Sequence, residues 1–208
     1  DFINHMIDKK YIELRQSMEY EYMIPPVKNY DFFEFTKEEA KIYFNWYMEE
    51  KGHRIEMLEK YVHNAGVDID FDYSPESLIP LWRWYETIIV SEKKTEEEIA
   101  AEKKNMPEWL HSQISEEKIS MNTLKFGMDI AIYFAEVMIR NSDGKVHWGY
   151  VTKPKNYINV NRPVVSGFKA GKDLNPSRTV YVLTLSSEEE KNEKRLYDRY
   201  YVWQEDIE

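Results

Sequence analysis

The chain has 208 residues, 38 Asp and Glu against 28 Lys and Arg for a formal net charge of −10, 42% hydrophobic content with 15% aromatics, and no cysteine. That length buries a sizeable core and that composition excludes a disordered polymer. Without cysteine there are no disulfides, no thiolate catalysis and no cysteine-ligated zinc, which fits a cytoplasmic location. The longest apolar run, 128–139, falls short of the roughly 18 residues of a membrane-spanning helix, so no membrane partner is expected. No signal peptide is visible at Asp1-Phe2-Ile3-Asn4, although a start at Asp1 leaves open a leader ahead of it.

In chain order, residues 1–23 read as a helix, with Ile3, Ile7, Tyr11, Leu14 and Met18 near a 3.6-residue period. Pro25-Pro26 end it. Thr36-Lys37-Glu38-Glu39 is a capping box, and it opens a helix over 37–64. The core stripe of that helix is Ala40, Phe44, Tyr47, Ile55, Leu58 and Val62, with Gly66 as its stop. Ser74-Pro75 starts another helix, which Pro80 makes irregular at its beginning. Residues 91–105 form an exposed helix or lid-like excursion, and 108–113 a single turn.

A long central helix follows over 116–141, capped by Ser115. It is apolar on nearly every side, as expected of the buried centre of a domain. It stops at a Ser142-Asp143-Gly144 turn. Three β-rich runs come next, 147–151, 157–165 and 179–185, with Pro163 favouring an edge or bulge in the second. Ser187 to Glu190 is a further capping box that begins a last helix with a Leu196, Tyr200 and Trp203 stripe. The order predicts an α+β fold in a single domain, 1–208. A helical part (1–141) packs on a small antiparallel β-sheet (142–185), and a C-terminal helix closes it (186–208).

Charge is unevenly spread along this frame. Residues 140–185 hold eight Lys and Arg against two acids, a local +6, which leaves −16 for the rest. Such asymmetry gives intramolecular complementarity, an acidic face for a basic protein partner, or simply a solvated surface. Trp148, Tyr150 and Tyr157 in the basic segment have the composition of a weak nucleic-acid surface, but overall acidity argues against that partner.

Catalytic signatures are missing: no nucleophile elbow, phosphate-binding loop, dinucleotide fingerprint or zinc-protease motif occurs, and no cofactor is implied. Two Glu-x-x-His pairs, Glu50 with His53 and Glu108 with His111, have the spacing of di-iron bundles. That site would need bridging acids such as Glu136, Glu13 or Glu19. Gly52 and Pro107 interrupt the pairs, and no metal site is expected. The five histidines are scattered and read as surface or boundary residues.

Glu136 is the one acid in the middle of the apolar helix, seven residues after Asp129 and so on nearly the same face. A buried carboxylate needs a partner. Arg162 of the adjacent sheet is the candidate, which makes the pair either a tie between helix and sheet or part of a pocket with a perturbed acid. Trp82 with Trp84, Tyr200 with Tyr201, and Trp203 do not all fit inward from their helices. Trp82, Trp84, Tyr200 and Trp203 are therefore candidate interface residues.

The stretch from Ile119 to Trp148, in which Tyr133-Phe134-Ala135-Glu136-Val137 precedes a Trp-bearing strand, resembles a pattern in uncharacterised bacterial protein families, some grouped with immunity proteins of toxin systems. The resemblance covers about residues 115–170, with Ala135 where Gly is commoner, and carries no catalytic motif. It implies a non-enzymatic protein-binding module, such as a toxin-neutralising immunity or antitoxin-like inhibitor. The alternative is a small-ligand-binding protein or enzyme with a pocket around Glu136 and the sheet. A homo-oligomer using its aromatic patch as a subunit interface is a third expectation.

Overall fold

The computed structural model describes residues 20–207. The expected first helix, with its stripe from Ile3 to Met18, lies outside them except at its end. There, Tyr20 to Met23 are not helical.

Helix α1, Lys37–Asn64, begins where its capping box requires. Thr36 Oγ1 accepts from the Glu39 N–H at 3.1 Å, and the Glu39 carboxylate accepts from the Thr36 N–H at 2.9 Å. Gly66 follows the cap in the left-handed region, φ +79°. Phe44, expected in the core stripe, is half-buried against Tyr150, and Tyr43 and Arg54 join the buried face instead.

The irregular start foreseen at Pro80 is a short 3-10 turn, Pro75–Ser77, capped by Ser74. Helix α2, Leu78–Ile88, continues from it. The lid-like excursion is tied down at its base. Strand β1, Ser91–Lys93, pairs antiparallel with β2, Glu117–Ile119, so that Glu92 faces Lys118 and Lys93 faces Glu117. Opposite charges directly across a ladder favour that register. Between the strands run helix α3, Glu96–Lys104, and a 3-10 turn, Glu108–Gln113, neither with a buried residue.

Pairing of β2 also corrects the start of the central helix. Helix α4 is Met121–Arg140, with Ser120 rather than Ser115 accepting the capping N–H, from Thr123 at 3.2 Å. Its residues 131–138 are all buried. Helices α1 and α2 and the two C-terminal helices all pack against it. The core therefore lies around α4 on every side, as an all-round apolar helix demands.

After the Ser142-Asp143-Gly144 turn, β3, His147–Gly149, pairs antiparallel with β4, Val164–Ser166, and Leu174 bridges to Val165. Gly167 leaves this sheet at φ +107°, where a Cβ would stand 2.4 Å from the Lys145 carbonyl oxygen; a larger residue does not fit.

The third expected strand is a correction. Residues 179–185 lie inside helix α5, Pro176–Glu189. The Asn175 side chain accepts from the Arg178 N–H at 3.0 Å, and Pro176 occupies the first helical position. Val180, Leu183, Thr184 and Ser187 are buried, a 3.6-residue stripe turned to the core. Burial on that period overrides the β-preference of Thr179-Val180-Tyr181-Val182. Ser187 is accordingly not a cap. Its hydroxyl donates at 2.6 Å to Glu86 of α2, which also accepts from the Asn192 N–H at 3.0 Å and from Trp82. The closing helix, α6, is Arg195–Gln204. The α+β class holds, with two small two-stranded sheets in place of one.

Candidate functional site

The two acids of α4 meet α1. Arg54 forms a two-point pair with Asp129, Nε to Oδ1 at 2.9 Å and Nη2 to Oδ2 at 2.7 Å, and Tyr20 also donates to Asp129. One turn away on α1, Lys51 Nζ reaches Glu136 Oε1 at 2.7 Å, and Arg140 lies 3.4 Å from Oε2. Trp148 Nε1 of β3 donates to Oε1 at 2.8 Å.

Arg162 is therefore not the partner of Glu136. Its guanidinium stacks on Phe32, 4.3 Å from the ring centroid. The link from Glu136 to the sheet exists, but Trp148 makes it. Burial alone would raise the Glu136 carboxyl; Lys51, Trp148 and Arg140 outweigh it and hold its pKa below the usual carboxylate value. These partners tie α1, α4 and β3 together at one carboxylate.

The candidate interface aromatics are placed differently from expectation. Trp82 is 0% exposed, and Trp84 and Tyr200 are buried with it in the core around α4; only Trp203 is half-buried, against Phe168. Long side chains on α2 and α6 pack from both flanks of their helices because α4 and its neighbours surround them. Among the described residues the most exposed large aromatic is Trp109, 75% exposed, on the excursion.

Both Glu-x-x-His pairs fail to converge. His111 Nε2–H donates to the Lys103 and Met106 carbonyls, 2.9 and 3.1 Å away, and His53 is exposed. Among the described residues no three His, Asp or Glu side chains are grouped to hold a metal ion. No helix among them is long and apolar enough to cross a membrane.

A cleft of about 1050 Å³ is floored by the N-terminal half of α4, and Glu136, farther along the helix, does not line it. Met121, Leu124, Lys125 and Met128, spaced i, i+3, i+4 and i+7, form its floor from α4. Tyr43 and Trp46 of α1 and the arm from Tyr22 to Phe33 supply aromatic walls. The first turns of α5 bring Ser177, Arg178, Tyr181 and Val182, and the loop before β4 brings Ile158 and Arg162. At the back, Gly127 lets Tyr85 approach: a Cβ there would stand 2.7 Å from the Tyr85 hydroxyl, which bonds Thr184 Oγ1 at 3.1 Å.

Two properties distinguish this cleft. Ile24, Phe33, Ile158, Tyr181 and Val182 are large apolar side chains left exposed, and all five line it. Exposed apolar surface gathered in one concavity is the usual mark of a binding site. Its charges are Lys125, Arg162 and Arg178, and no carboxylate lines it among the described residues. Burial, reinforced by Arg54, pushes the Lys125 amine down to about 8. Its ammonium lies 4.9 Å from the Phe126 ring centre and 5.5 Å from that of Tyr22.

Sequence reasoning missed Lys125 and Arg178. A cation at a core position of the central helix was the available signal for Lys125. Arg178 was hidden by the strand assignment, which put no helix face beside it. Comparison with known proteins finds no matching family model, no matching curated protein and no matching solved structure.

Proposed function

We propose that the protein is a binding protein whose site is the aromatic cleft between α1, α4 and α5, enclosing a largely apolar small molecule. One observation supports this above the others: five exposed large apolar side chains converge on one concavity of about 1050 Å³. Leaving such surface uncovered opposes solubility, and the free energy recovered when a ligand covers it drives binding. No nucleophile–base pair or metal cluster is among the features that support the reading, so catalysis is not part of it. A cytoplasmic location is part of it, in keeping with a cysteine-free chain.

A thermal-shift screen of apolar metabolites tests it, since a ligand that binds only the folded state raises Tm by mass action. At least one compound is expected to raise Tm. Met128→Trp, which fills the floor of the cleft, is expected to abolish that rise while the variant stays folded. A rise unchanged in the Met128→Trp variant places the ligand elsewhere and ends the proposal.

A second reading, a protein inhibitor of the immunity or antitoxin kind, is favoured by the excursion from β1 to β2. It presents Trp109 on a segment with eight acids and five lysines, suited to a basic partner. Capture of a basic protein from the host at low salt, lost in Trp109→Ala, is its expected result. Capture that survives Trp109→Ala, or none, counts against it; a homo-oligomer through the same face would show in light scattering.

A further inference from the structure

Arg162 and Arg178 reach the cleft from different elements, the loop before β4 and the first turn of α5. Burial lowers the pKa of Arg162, Tyr43 and Asp31 oppose that, and the Arg178 charge adds to the lowering. Converging like charges cost free energy unless something offsets them. Among the described residues neither guanidinium forms an ion pair within 4.0 Å or a side-chain hydrogen bond. The Phe32 ring, its centroid 4.3 Å from the guanidinium carbon of Arg162, supplies no oxygen acceptor for its N–H donors.

The chain has 38 acids to place, yet none lines this cleft among the described residues. Apolar surface begins directly beside the charge. Tyr181 and Val182 stand three and four residues after Arg178, on the same face of α5, and both are exposed. Ile158 stands four residues before Arg162 and is half exposed.

We infer that the cleft takes an amphipathic anion, a single oxyanion head held by Arg162 and Arg178 with an apolar or aromatic body lying along Tyr181, Val182 and Ile158. This rests on the binding-protein reading and specifies its ligand class. Two guanidiniums present paired N–H donors to a carboxylate or sulfonate, and charge-assisted bonds of that kind are strongest where water is displaced. The apolar body supplies the displacement.

The test is fluorescence titration of the full chain with 1-pyrenebutyrate and with its neutral amide. The acid is expected to bind about tenfold more tightly than the amide. Arg178→Gln, at an exposed position on a helix surface, is expected to weaken the acid by a similar factor and leave the amide unchanged; circular dichroism confirms that the variant is folded. Equal affinity of acid and amide, or a ratio unchanged in Arg178→Gln, overturns the inference while the apolar cleft stands. Binding of neither probe overturns both, and a cleft already filled by a polypeptide segment would give that result.

Discussion

Arg54 and Asp129 face each other at two points, 2.9 and 2.7 Å, with side chains 3% and 0% exposed, so that α1 is locked to α4 by a buried pair. Arg54 also donates to the Glu21 carbonyl at 2.8 Å, which binds the arm beside the cleft to the same point. Removing one partner leaves a buried charge unpaired and costs about 3–5 kcal/mol. Arg54→Met should lose that much in urea denaturation. The double variant Arg54→Met, Asp129→Leu should recover most of it, because replacing both charges by apolar groups is often nearly neutral. A single variant within about 0.5 kcal/mol of the parent would show that the pair is solvated.

Glu136 makes an acid-side prediction. A carboxyl held below its ordinary pKa adds stability above that ordinary value and loses it as pH falls through the folded value. Between about pH 6 and about pH 3 the parent should therefore lose more stability than Glu136→Gln, and their urea midpoints should converge. Parallel curves would mean that Lys51 and Trp148 do not favour the charged form.

Lys125 makes one on the alkaline side, where stability again rises with pH. Its amine is lowered to about 8, so above that pH the unfolded chain holds a proton that the folded one has released, and stability rises. The rise is read between about pH 8 and about pH 9.5, below the ordinary tyrosine pKa near 10. Lys125→Met should flatten it. Direct titration of the Lys125 side chain by NMR with a midpoint above about 10 would remove the basis of this prediction.

The tryptophans separate core from surface. Trp82→Ala should cost about 3–5 kcal/mol, because the indole is enclosed and its N–H bonds Glu86. Trp109→Ala should stay within about 0.5 kcal/mol of the parent. Thermal melts of the two variants decide it, and a large loss at Trp109 would mean that the excursion is packed rather than presented.

Some signals that act over a few residues were legible, although the caps expected at Ser115 and Ser187 were not. Thr36 with Glu39, Ser74 before Pro75 and the turn at Gly144 each lie where the residues place them. The run at 179–185 was not, since five of its residues favour strands and only contact with α4 selects the helical period. The same holds for Arg162, whose charge is evident but whose neighbour, Phe32, is 130 residues away along the chain.

The residues alone determined the acidic balance, the caps at Thr36 and Ser74, the α+β class and the burial of the helix around Glu136, because composition and local hydrogen bonding depend on neighbours in sequence. Tertiary structure decided three things: that Lys51 pairs with Glu136 and Trp148 hydrogen-bonds to it, that Trp82, Trp84 and Tyr200 are core, and that three cations share one apolar cleft. Each depends on distance in space between remote segments, and burial, pairing and concavity exist only once those segments have packed.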